Sequence, residues 1–125
     1  MFKKKEKPIV VGKHTNKIVG DYGEELAVKY LKKNGYKILK TKYKTEFGEL
    51  DIIAQDGDYI VFVEVKYRSS DRYGMPNEAV DRRKQKKIRE LAQAFLKDKH
   101  LTWMFARIDV VEILDDEIQL YKNAF

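Results

Sequence analysis

The chain has 125 residues, 43% of them hydrophobic and 12% aromatic, enough to fill one domain core and too apolar for a wholly disordered chain. Its apolar runs are far too short to span a membrane and no secretory leader is expected. The lack of cysteine excludes disulfide frameworks, thiolate zinc sites and thiol nucleophiles; a cytoplasmic location fits. The net charge of +6 is uneven, with +5 in residues 1–17, +5 in 18–107 and −4 in 108–125, and such an excess points to a polyanionic partner unless it merely solvates helix faces.

In chain order, residues 1–14 read as a flexible basic tail and residues 15–125 as a single domain. Thr15 or Asn16 can cap a first helix. Ile18, Tyr22, Leu26 and Tyr30, joined by Val19, Ala27 and Leu31, form its apolar face as far as Asn34, and Gly35 stops it. Residues 36–44 read as a first strand and Gly48 to Gln55 as a second, with Leu50, Ile52 and Ala54 on one side and Glu49, Asp51 and Ile53 on the other. Asp56-Gly57 is a two-residue hairpin signal. Asp58 to Arg68 is a third strand, with Tyr59, Val61, Val63 and Val65 opposed to Ile60, Phe62, Glu64 and Lys66. Ser69 to Pro76 is a loop. Asn77 to about Lys97 is a second helix with Ile88, Leu91, Ala92 and Phe95 as its core stripe. Leu101 to Leu114 is a fourth strand, Asp115-Asp116 a turn, and Ile118 to Tyr121 a short fifth strand. The order αβββαββ predicts an α/β domain with a mixed five-stranded sheet covered by two main helices.

The hairpin carries the chemistry. A turn at Asp56-Gly57 sets Asp58 against Gln55, Ile60 against Ile53, Phe62 against Asp51 and Glu64 against Glu49. Glu49, Asp51, Glu64 and Lys66 then project from one face beside Ile53, Ile60 and Phe62. Like charges opposed on an apolar sheet face are unfavourable, and Lys66 can neutralise one carboxylate, not three. A divalent cation held by oxygen ligands, Mg²⁺ or Mn²⁺, resolves the conflict. Glu24, on the stripe of Ala27 and Leu31, is a further candidate if the first helix packs on this charged side. Lys84 sits on the otherwise apolar stripe of Ile88, Leu91 and Phe95, so its amine must reach for an anion; Gln85 is next to it. Taken singly, each charged residue is explained by solvation or an ordinary ion pair. His14, His100, Ser69 and Ser70 lack any catalytic context, and no glycine-rich phosphate loop opens a helix.

Asp51 followed by Glu64-Val65-Lys66 resembles the motif of the PD-(D/E)XK nuclease superfamily, with Leu50 where the motif has proline. Gly23-Glu24-x-x-Ala27, Gly35-Tyr36, Gly48-Glu49-Leu50-Asp51, Phe62-Val63-Glu64-Val65-Lys66-x-Arg68, Glu78-Ala79-Val80 with Lys84, and Ile108-Asp109-Val110-Val111 together resemble the YraN family of bacterial proteins. That family is distantly similar to archaeal Holliday-junction resolvases, and the likeness covers about residues 17–112.

The resemblance implies a restriction-endonuclease-like αβββαβ core and a catalytic set of Asp51, Glu64, Lys66 and Glu24. Asp51, Glu64 and the Val65 carbonyl would bind the metal, and Lys66 would orient or deprotonate the attacking water; Glu49 has no role in the resemblance and is a metal candidate only from its place on the charged face. Lys84, Gln85, Arg68, Arg82, Arg83 and Lys87, with the lysines of Lys29 to Lys44, would track a nucleic-acid backbone. The expectation is a metal-dependent endonuclease acting on DNA. Action on a four-way junction would need two active sites, hence a homodimer. The alternatives are a nucleic-acid-binding module with this fold and little or no catalysis, and a scaffold whose charged tail recruits an acidic partner.

Overall fold

The computed structural model describes residues 12–68, 81–114 and 117–125, with side chains from Tyr22 onward in the first helix and without that of Arg68. The expected loop at Ser69 to Pro76, the helix start at Asn77, the Glu78-Ala79-Val80 motif, the Asp115-Asp116 turn and residues 1–11 of the tail lie outside the described residues. The elements are α1 (Gly12–Lys33), β1 (Lys37–Thr45), β2 (Gly48–Asp56), β3 (Tyr59–Arg68), α2 (Arg82–Asp98), β4 (Phe105–Leu114) and β5 (Glu117–Tyr121). The strands form one sheet in the order β1-β2-β3-β4-β5. β3 and β4 are parallel and the other neighbours antiparallel, so the sheet is mixed, and α2 makes the crossover that a parallel pair requires. The expected class holds, and the arrangement is consistent with a restriction-endonuclease-like core. Among the described residues no helix is long and apolar enough to cross a membrane.

Each helix lies on its own face of the sheet. Ala27 and Leu31 of α1 pack with Ile52, Ala54, Val61, Val63, Val111 and Ile113. Ile88, Leu91, Ala92 and Phe95 of α2 pack with Ile53, Ile60, Phe62, Ile108 and Val110. The alternation of β3 dictates this split, because residues two apart share a face. Glu64 follows Ile60 and Phe62, so the charged face is covered by α2. The condition set for Glu24, that α1 pack on the charged side, is not met.

Both helices end in the same way. The Tyr36 N–H donates to the Leu31 carbonyl and the Gly35 N–H to that of Lys32, with Gly35 at φ +89°. This is the paired bonding that a left-handed residue after a helix allows. At the end of α2, the Leu101 and His100 N–H groups donate to Leu96 and Lys97, and His100 takes φ +57°. That use of Leu101 starts β4 at Phe105 instead of Leu101. α2 starts at Arg82, where Asp81 is extended and its side chain accepts the Lys84 N–H. α1 starts at Gly12, a turn earlier than Thr15 or Asn16 would set it.

The hairpin register differs from the expected one. Asp56 pairs with Tyr59, Gln55 with Ile60, Ile53 with Phe62 and Ile52 with Val63. The two-residue loop is Gly57-Asp58, with Gly57 at φ +60°, which places glycine first in the loop, as a II′ turn requires. The slip is two residues, so each side chain keeps its face. Its partner changes: Glu64 comes level with Asp51, not Glu49.

The alternation of β2 breaks at Asp51. Leu50 packs in the α2 core with Ile53, whereas Ile52 and Ala54 pack on the α1 side, so Leu50 does not share their face. The adjacent strand breaks at the same level. Thr41 pairs with Ile52 and Tyr43 with Leu50, and Lys42 between them takes φ +52°. A left-handed conformation in a residue with a side chain is strained, and such strain persists only where surrounding packing enforces it.

Candidate functional site

The break at Asp51 aims its carboxylate at β3. The Val65 N–H donates to Asp51 Oδ2 at 2.8 Å, beyond the last β2–β3 pair at Ile52 and Val63. The side chain thereby takes the place of a backbone acceptor where the two strands part. In a strand the N–H and C=O of one residue point to the same edge, so the Val65 carbonyl faces the same gap.

Glu64 is buried on the α2 side, and its Oε2 lies 2.8 Å from Lys84 Nζ. Burial, then the charge of Glu64, push the Asp51 carboxyl up from its ordinary 3.8 to about 7; the Val65 N–H works in the opposite direction, and the charge of Glu24 adds to the rise. The Glu64 hydrogen bond holds the Lys84 ammonium above its usual range. Glu24 reaches the site from the opposite helix: it is mostly buried, within electrostatic reach of Asp51, and 3.1 Å from Lys42 Nζ.

Lys66 follows Glu64 on the α2 side, half-buried, and makes no ion pair among the described residues. Glu49 does not join the cluster. It is exposed, and its neighbours Gly48 and Leu50 both face Leu91 of α2, so Glu49 points to the other side. The shared face expected for four charged residues therefore loses Glu49, because regular alternation does not extend through Asp51.

The nucleic-acid candidates divide. Arg82, Arg83, Lys84 and Lys87 are exposed along the first turns of α2, and Gln85 is half-buried, its N–H donating to the Asp81 carbonyl. Arg68 ends β3, its side chain outside the described ones. On the other flank an open groove of about 450 Å³ between α1 and β1 is lined by Lys29, Lys32, Lys42, Thr41 and Glu24. Sequence reading gives Lys42 only as one of the Lys29 to Lys44 block, not as the partner of Glu24. Lys42 carried no local signal beyond its place in a lysine-rich strand, since its conformation depends on the break in β2.

Among the described residues no three His, Cys, Asp or Glu side chains stand close enough together to ligate one ion. The donor set is instead two carboxylates and a carbonyl: Asp51, Glu64 and Val65. Mg²⁺ typically takes one or two carboxylates and completes its shell with water and phosphate. Asp51 is held up first by burial and then by the neighbouring Glu64 charge, and a cation at these two carboxylates would offset both. On both counts the residues fit a hard divalent cation.

A family model described as "Uncharacterised protein family UPF0102" matches residues 23–113, a span that holds Glu24, Asp51, Glu64, Lys66 and Lys84. A UPF0102 protein of Acetivibrio thermocellus is 47% identical over 93% of this chain and 97% of its own. Another, of Syntrophus aciditrophicus, is 49% identical over 85% of this chain and 87% of its own. A third, of Persephonella marina, is 42% identical over 86% and 93%.

Proposed function

The chain belongs to the uncharacterised protein family UPF0102, the YraN family of the sequence resemblance, and on that premise we propose that it is a Mg²⁺- or Mn²⁺-dependent endonuclease acting on DNA. The observation that carries this reading is the meeting of Asp51 and Glu64 where β2 and β3 part, with Lys66 one step further along β3. Asp51, Glu64 and the Val65 carbonyl would hold the cation. When bound, such a cation polarises a phosphoryl oxygen and lowers the pKa of a coordinated water. The Lys66 ammonium would hold the attacking water and stabilise the charge that grows on the phosphate oxygens. Glu24 faces the same centre from α1 and helps to set its negative charge. Arg82, Arg83 and Lys87 on one flank, and Lys29, Lys32 and Lys42 on the other, supply cations for the phosphate backbone. Cytoplasmic nucleic acid is the matching substrate pool, and a four-way junction would require two copies of the chain.

The test is cleavage of labelled single strand, duplex, flap and four-way-junction DNA, and of single-stranded RNA, with Mg²⁺, Mn²⁺ or chelator. Metal-dependent products that fall by about a hundredfold or more in Lys66→Ala and Asp51→Ala are expected. Cleavage that survives both substitutions overturns the reading. One observation favours a second reading: the described residues offer two carboxylates, not three. A binding module with this fold would hold nucleic acid in a salt-sensitive manner, without cleavage and with no loss in Lys66→Ala.

A further inference from the structure

Two lysines stand at the acidic pair, and they are used differently. Lys66 lies on the same strand as Glu64 and has no ion-pair partner among the described residues. Lys84 comes from α2 and holds Glu64 at 2.8 Å, with its own side chain 55% exposed and that of Glu64 7%. The carboxylate is fixed in the protein, whereas the ammonium reaches it from solvent and can leave.

Helix stability does not explain Lys84. It lies in the first turn of α2, which contains no acidic residue, and a cation at a helix N-terminus is disfavoured by the helix dipole. Nor does local structure require the side chain. The cap uses the Lys84 backbone N–H, which donates to Asp81 Oδ1 at 2.9 Å, and any residue but proline supplies that bond. What the ammonium does is balance a buried carboxylate whose charge also acts on Asp51.

We propose that Lys84 is the resident counter-ion of Glu64 and that a divalent cation and the Lys84 ammonium compete for that carboxylate. This rests on the metal-binding reading of Asp51 and Glu64. Two added charges beside Glu64 would repel the ammonium, and its flexible stem lets it swing out. The freed ammonium then stands beside Arg82, Arg83 and Lys87, where it is available to a phosphate. Cation binding and the assembly of the α2 basic surface thereby become one event. Lys84 is in this sense a positioning residue that acts through Glu64, while Lys66 remains available to the reacting groups throughout.

The experiment is Mn²⁺ titration without nucleic acid, with free Mn²⁺ followed by electron paramagnetic resonance at fixed ionic strength. Wild type, Lys84→Gln, Lys84→Arg and Glu64→Gln are compared. Lys84→Gln is expected to bind Mn²⁺ about threefold to tenfold more tightly, the scale of one partly exposed ion pair. Lys84→Arg should stay near wild type, and Glu64→Gln should lose most of the binding. Saturating Mn²⁺ should also raise the melting temperature of Lys84→Gln by more than that of wild type. A merely structural lysine would give the opposite sign. Equal or weaker Mn²⁺ binding by Lys84→Gln, with binding intact in wild type, overturns the competition alone. Absence of binding in wild type and Lys84→Gln, both folded by circular dichroism, overturns it together with the metal reading.

Discussion

Asp51 is the residue at which local rules and tertiary structure diverge. Sequence spacing put it on a charged face opposite Phe62; in the structure it lies at a break, with its carboxylate on the Val65 N–H. Its raised carboxyl has a consequence for stability. The folded protein binds this proton more tightly than the unfolded chain, because burial and Glu64 push the group from 3.8 to about 7. The associated stability is therefore fully present below about pH 4 and is lost as pH rises through 7. Thermal melts of the metal-free protein should fall in midpoint between pH 5 and pH 8. Asp51→Asn should flatten that slope, and Mn²⁺ should restore the midpoint at pH 8. A flat profile in the unsubstituted protein would show that Asp51 titrates normally. The types and faces of Glu64 and Lys66 were legible in the sequence, because β3 alternates without interruption. Exclusion of Glu49 was not, because it turns on a strand break that no neighbour in sequence announces.

At the level of elements, the turn chemistry was readable where glycine supplied it. Gly35 ends α1 and Gly57 makes the hairpin loop, each with positive φ. His100 does the work of glycine at the end of α2, at φ +57°, and no residue-type rule marks it. This conformation is open to histidine but costs more than it does for glycine. His100→Gly should therefore stabilise the fold by about 0.5 to 1 kcal/mol, less the extra entropy that glycine gives the unfolded chain. Urea denaturation would measure it, and a destabilised variant would mean that the His100 side chain holds contacts that outweigh the strain. β1 offers the reverse lesson. Its poor alternation in sequence follows from a real irregularity, since the strand shifts register between Ile38 and Lys40 and is left-handed at Lys42.

Across the whole molecule, the acidic pair lies at one end of the β2–β3 hairpin and a second charged network at the other. Asp109 is fully buried and accepts the Tyr36 hydroxyl at 2.9 Å, the Arg107 Nε at 3.0 Å and the Asn123 N–H at 2.9 Å. Arg107 also donates to Asp56 at 2.6 Å, and burial followed by the Asp109 hydrogen bond holds the Tyr36 phenol above its usual range. These bonds tie the start of β1, the end of β2, β4 and the segment after β5 together. Arg107→Ala strands a buried carboxylate and should cost about 3 to 5 kcal/mol, a fall of roughly 10 °C or more in melting temperature. A loss under about 1 kcal/mol would mean that Tyr36 and Asn123 satisfy Asp109 on their own.

The order of elements, the mixed sheet and the shared face of Ile60, Phe62, Glu64 and Lys66 were decided by the sequence alone. They depend on periodicities of two and 3.6 and on turn residues, which are properties of neighbours along the chain. Tertiary structure alone decided the hairpin register, the break that joins Asp51 to Val65 and excludes Glu49, the helix that covers the charged face, and the pairing of Lys84 with Glu64. Each of these is a contact between residues far apart in sequence, selected by packing between elements, and no local pattern encodes which distant partner a side chain will meet.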